Sequence, residues 1–146
     1  MPKRELGELE AAVKADPRHR RALYRLATAL LERNSQIRRV LDIATRLHHA
    51  DPDNPLYAGL LGAACQLSGK PRRARSLLTR ALAPDPLLGS EATAPFRYYL
   101  AVNLVASGDT DGAAAQLESL LASKPRGPVA DRARKLLARL KGATRN

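Results

Sequence analysis

Aromatic residues are scarce in this chain of 146 residues: it has no tryptophan, one phenylalanine (Phe96) and four tyrosines (Tyr24, Tyr57, Tyr98, Tyr99). A core without large rings must be filled by Leu, Ala and Val, which favours helices packed at close range with small residues at their contacts. Cysteine occurs once, at Cys65, so an intramolecular disulfide is excluded and a reducing compartment is compatible. Nowhere do 18 apolar residues run together, so no helical membrane span is expected. The first 15 residues carry Glu5, Glu8 and Glu10 and no apolar h-region, so no secretory signal is read there. The chain as given is therefore expected in the cytoplasm; a piece of a larger envelope-associated protein would take its address from elsewhere. No strand pattern appears either.

Catalytic and metal constellations are missing as well. There is no Gly-rich phosphate loop, nucleophile elbow or paired-carboxylate motif. His48 and His49 are neighbours on a helix, about 100° apart, and do not converge as histidines four apart can; His19 is distant in sequence. Asp16, Asp51 and Asp85 each precede a proline, which is turn chemistry. The expectation is a non-enzymatic chain without cofactor or metal.

What is present is a repeating punctuation. Asp16-Pro17, Asp51-Pro52, Asp85-Pro86 and Lys124-Pro125 place prolines 35, 34 and 39 residues apart. Asn34, Gly69 and Gly108 form a second series, 18, 17 and 17 residues before the next of these prolines. Two marks near period 34 indicate stacked helical units. Apolar spacing fills in the helices at 4–15 (Leu6, Leu9, Val13), 18–33, 36–50, from Pro55 to Gly69, 71–83, 94–107, 110–123 and from Pro128 to about 141. Ser35, Asn54 and Asp109 are candidate N-caps. Asn34 and Gly69 suit left-handed backbone after a helix. Residues 84–93 read as the one irregular stretch, with about five residues more than the other junctions.

Leu61-Gly62, Cys65, Gly69, Ala74, Leu78, Ala81 and Pro86 in one unit, and Leu100-Ala101, Leu104, Gly108, Ala113, Leu117, Leu120 and Pro125 in the next, resemble the tetratricopeptide repeat. Leu23, Leu26-Ala27, Leu30, Asn34 and Pro52 fit a first copy that carries one extra residue near Gln36. The C-terminal half is similar to the closing repeats of long bacterial arrays of cell-envelope and polysaccharide-export systems. The resemblance implies an all-α, right-handed superhelix of three units (about 18–52, 53–86 and 92–125). A half-unit precedes them, a capping helix at 127–141 follows, all within a single domain at 1–141, and 142–146 is a frayed tail.

Carried over by position, a concave groove is implied. It is lined by Arg21, Tyr24, Arg25, Thr28 and Leu31, then Leu56, Gly59, Ala63 and Gln66, then Tyr98, Tyr99, Val102 and Val105. The set lacks the Lys, Arg and Asn of members that clamp a peptide carboxylate, apart from Arg21 and Arg25. The expected occupant is a partner protein's amphipathic helix or extended apolar segment; the chain's own C-terminal helix or a second copy of the chain remains open. The net charge of +11, from 25 Lys+Arg against 14 Asp+Glu, supports an alternative. Arg38, Arg39, Arg46, Arg72, Arg73, Arg75 and Arg80 would form a basic convex face for nucleic acid or an anionic surface. No aromatics interleave with these arginines to stack bases, helix 110–123 has no basic residue, and GC-rich coding alone yields such an arginine-rich mixture.

Overall fold

The computed structural model describes residues 3–83 and 89–144. Among them are eight helices and no strand: α1 (Lys3–Ala15), α2 (Arg20–Glu32), α3 (Ile37–Ala50), α4 (Pro55–Leu67), α5 (Pro71–Ala81), α6 (Ser90–Ala106), α7 (Thr110–Ala122) and α8 (Pro128–Thr144). None is long and apolar enough to cross a membrane.

The three turns between paired helices share one hydrogen-bond pattern. The amides of Asn34, Gly69 and Gly108 donate to the carbonyls of Leu31, Gln66 and Val105, and those of Ser35, Lys70 and Asp109 donate to Leu30, Cys65 and Leu104. This double bond set with a left-handed residue is the Schellman motif. The left-handed residues are Asn34 (φ 51°), Gly69 (φ 77°) and Gly108 (φ 90°). The prolines mark the other ends: Asp16 and Asp51 accept through their carbonyls from the amides of His19 and Asn54, which cap the next helices.

Four local readings need correction. Ser35 is not the cap of α3; the extra residue of the first unit, Gln36, occupies that place in left-handed backbone (φ 51°). Residue 18 is outside α2, because His19 is its cap, with Nδ1 accepting from the Ala22 amide at 3.0 Å. Residues 90–93 are helical rather than irregular, and α6 carries Pro95 inside it; residues 84–88 lie outside the described residues. Proline forfeits one bond so near a helix start, while Thr93, Ala94 and Phe96 around it are buried. The last helix continues to Thr144, through residues expected to fray.

Helices adjacent in sequence pack in pairs, and α4 touches α2 and α6, which touches α8. The even-numbered helices thus form one layer and α1, α3, α5 and α7 the other. One core cluster spans α2 to the start of α6, and a second joins α6, α7 and α8. Helices α4 and α6 are contacted on two sides, so Ala58 to Cys65 form an unbroken buried run, as expected for a helix enclosed by others. Small residues permit the approach. A Cβ on Gly59 would lie 2.4 Å from the Phe96 ring, and one on Gly62 would lie 2.8 Å from Leu78 Cγ. Cys65 is buried in this contact as a small apolar residue.

A polar tie joins the second and third units. Asn103, only 2% exposed, accepts from Arg75 Nε (2.8 Å) and donates through Nδ2 to Gln66 Oε1 and the Pro71 carbonyl, both at 2.8 Å.

Gly69→Val is expected to cost about 1–2 kcal/mol through its positive φ alone, since open space surrounds its Cβ position. Ala74→Leu, at a fully buried contact, is expected to cost about 1–3 kcal/mol by overpacking. Thermal melting of both variants checks this; unchanged melting in both would disprove the repeat register.

Candidate functional site

The inner layer separates the expected groove residues into two sets. Leu31, Gly59, Ala63 and Tyr99 are core residues. Gly59 is covered by Phe96, and Gln66 is engaged with Asn103, so neither is free to line a groove. Val102 and Val105 are half-buried against the second cluster, and Leu56 against the first. Arg21 and Arg25 are exposed, and Tyr24, Thr28 and Tyr98 are half-buried. Gly59 and Ala63 of the expected groove are thus taken up in packing, and two clefts lie along α2.

Two adjoining clefts run there. Tyr24, Arg25, Thr28, Ala29 and Glu32 line the larger, of about 140 Å³. The smaller, of about 30 Å³, shares Thr28 and Glu32 and adds Leu31, Pro95, Tyr98, Tyr99, Val129 and Arg132. Helix geometry positions these side chains. Tyr24 and Thr28 are one turn apart, with the Thr28 hydroxyl donating to the Tyr24 carbonyl at 2.7 Å. The Tyr24 ring lies 5.9 Å from that of Tyr57, tilted by 48°. Tyr98 meets Tyr99 edge to face with ring centroids 5.2 Å apart.

Arg132 bridges the two ends of the array. Its Nη2 donates to the Glu32 carbonyl at 2.7 Å across 100 residues of sequence. That carbonyl belongs to the last turn of α2, where carbonyls lack helical partners and a cation is favoured. Sequence reading did not single out Arg132, Glu32, Pro95 or Val129. The available signal was position: Arg132 sits between Val129 and Ala133 at the edge of the apolar stripe. The C-terminal helix, one of the occupants left open for the groove, thus lines one side of the smaller cleft through Val129 and Arg132.

Burial pushes the Tyr99 hydroxyl up to about 12, with the Arg132 guanidinium opposing the shift. Burial likewise raises the Tyr24 hydroxyl, opposed by the Thr28 side chain and reinforced by Tyr57.

The basic face is only partly available. Arg39 is paired with Glu10 at 2.8 and 3.0 Å, Arg80 lies 3.6 Å from Asp53, and Arg75 is held by Asn103 and Ser107. Arg38, Arg46, Arg72 and Arg73 are exposed without a side-chain partner among the described residues. His48 is held below its usual value by burial and then by Arg80 and Arg73. Burial raises the Cys65 thiol. No group of three or more His, Cys, Asp or Glu among the described residues could hold a metal ion.

Tyr99 yields a pH prediction. Its folded value of about 12 lies above the unfolded value of about 10, so its contribution to stability is complete below pH 10 and lost between about pH 10 and 12. The melting temperature should fall across that window, and less steeply in Tyr99→Phe. Equal falls in both proteins would show that Tyr99 is not the group responsible.

Comparison with known proteins places this geometry. The tetratricopeptide repeat model matches residues 6–36 and 98–140, together just over half the chain. The MamA RS-1 ArsTM double mutant is similar with TM-score 0.59 and 21% identity, over 84% of this chain and 65% of that one. This chain therefore spans less than two thirds of that protein's length. A crystal structure of MamA is similar with TM-score 0.58 and 18% identity, over 94% of this chain and 85% of the other. At such identities the likeness is one of fold, the right-handed α-α superhelix. No curated protein matches. Tetratricopeptide repeats generally mediate protein–protein interaction, and proteins built from them are generally non-enzymatic scaffolds. With the Schellman turns at Asn34, Gly69 and Gly108, the two helical layers and the matched segments at both ends, the chain belongs to the tetratricopeptide repeat family.

Proposed function

We propose that this protein is an adaptor that receives a partner protein's helix or extended segment along α2, between Tyr24 and Tyr98. The observation that carries this reading is the pair of adjoining clefts sharing Thr28 and Glu32. Tyrosine offers large contact area at low entropic cost and is enriched among residues that dominate binding energy. Arg21 and Arg25, exposed on the same helix, suit a segment with acidic flanks. Leu31 and Tyr99 form the floor of the smaller cleft, while the core positions Gly59 and Ala63 line neither cleft. The same surface could be met by a second copy of the chain, an outcome that the experiment below separates by its own readout.

The second reading, a nucleic-acid or anionic-surface module, draws on the exposed Arg38, Arg46, Arg72 and Arg73. Against it stands the engagement of Arg39, Arg75 and Arg80 by side chains of this same protein.

Immobilised protein is exposed to native lysate with and without nuclease, and retained proteins are identified. A defined protein that survives nuclease is expected, and its affinity for Tyr98→Ala should be weaker by about 1–3 kcal/mol. Retention lost with nuclease would favour the arginine face, and unaltered affinity for a folded Tyr98→Ala would remove the α2 clefts. Sedimentation of the purified chain reports self-association independently.

A further inference from the structure

Between the first turns of α5 and the last turn of α6 lies a cleft of about 490 Å³, within the size range of small-molecule sites (roughly 300–1,000 Å³). It shares no residue with the two clefts along α2. Pro71, Ala106 and the stems of Arg72 and Arg75 make its surface largely apolar, and Ser76 and Ser107 add hydroxyls.

The charged edge of this cleft is built with care for orientation. Arg75 donates through Nε to Asn103 Oδ1 at 2.8 Å and through Nη2 to Ser107 Oγ at 2.5 Å. Ser107 sends its own hydroxyl proton to the Leu104 carbonyl at 3.0 Å, so it meets Arg75 as an acceptor. Asn103 is buried and itself fixed by Gln66 and the Pro71 carbonyl. The guanidinium is therefore held in one place, while its Nη1 has no partner among the described residues. Arg72, exposed, stands beside it without a side-chain partner among those residues.

No acidic side chain lines the cleft, and α5 contains none. The nearest in sequence to Ser107, Asp109, accepts from the Gly112 amide at 2.8 Å as the cap of α7. A fixed guanidinium fork beside an apolar wall matches a carboxylate carried on a compact apolar body. A phosphate would be drawn by the same charge but would gain nothing from Pro71 and Ala106.

We propose that this cleft is a binding site for a small organic carboxylate, its charged end on Arg75 and Arg72 and its apolar body against Pro71 and Ala106.

Titration of the whole chain with benzoate at constant ionic strength, followed by backbone amide NMR, tests the assignment. Saturable shifts centred on Arg72, Arg75, Ser76, Ala106 and Ser107 are expected, with binding of benzyl alcohol and of inorganic phosphate weaker by about tenfold or more. Arg75→Gln should lose about tenfold in benzoate affinity. Because that change also frees Asn103, Arg72→Gln is measured beside it; it leaves the Asn103 bonds intact and should weaken benzoate several-fold. Absence of saturable shifts in the cleft, equal binding of benzyl alcohol or phosphate, or undiminished affinity in Arg72→Gln would each overturn the proposal.

Discussion

The Phe96 ring rests on the backbone of Gly59, so closely that a single added carbon would collide with it. On the same helix, Gly62 admits Leu78 from α5. Helix α4 is thereby thinned on two sides, which lets α5 and α6 reach it together. The only phenylalanine of the chain thus sits where the second unit meets the third. How near α6 comes to α4 at this point is limited by the ring, and the Asn103 tie and the Arg132 bond to α2 fix the third unit and α8 further. A larger residue at position 59 would move the third unit as a body, because α6, α7 and α8 share their own core cluster.

That closeness has a consequence for function. Residues such as Gly59 and Ala63 are consumed in packing between the stacked helices. The accessible surface shifts toward α2, where the second layer member is absent on one side and Tyr24 and Thr28 stay half-exposed. Arg132 then reaches the end of α2 from α8 and ties the first unit to the last helix. The C-terminal helix therefore forms one wall of the smaller cleft along α2.

The sequence made the units legible because their markers are local. A left-handed residue after each first helix and a turn before each proline are decided within a few residues, so Asn34, Gly69 and Gly108 could be read one by one. Asn54 and Asp109 could be read as caps for the same reason. Relations between units were not legible. Gly59 read as a groove residue because position in the repeat ignores how far the next unit leans over it. The helix was read from 94 with irregular chain before it, yet α6 starts at Ser90 and carries Pro95 inside, with Thr93 and Ala94 buried beside the bond that proline forfeits. Asn103 carried no pattern at all; its role exists only where Gln66, Pro71 and Arg75 converge from α4 and α5.

The scarcity of aromatics and the excess of arginine are two sides of one solution. With few rings to span the spaces between helices, long side chains with forked donors connect them instead. Arg39 joins α3 to α1 through Glu10, Arg75 joins α5 to α6 through Asn103, Arg97 joins α6 to α7 through Gln116 at 3.0 Å, and Arg132 joins α8 to α2. Each lays an aliphatic stem on apolar surface and places several donors at a fixed angle, which a lysine cannot do. Part of the net positive charge is thus a by-product of holding the array together. A surface selected to bind phosphates would leave its cations free and would not interrupt them with α7, which has none. Of the seven arginines of the expected basic face, Arg38, Arg46, Arg72 and Arg73 are exposed without a side-chain partner among the described residues, and Arg39, Arg75 and Arg80 are engaged by side chains of this same protein. Arg72 adjoins a guanidinium already held by a buried neighbour, at the cleft between α5 and α6.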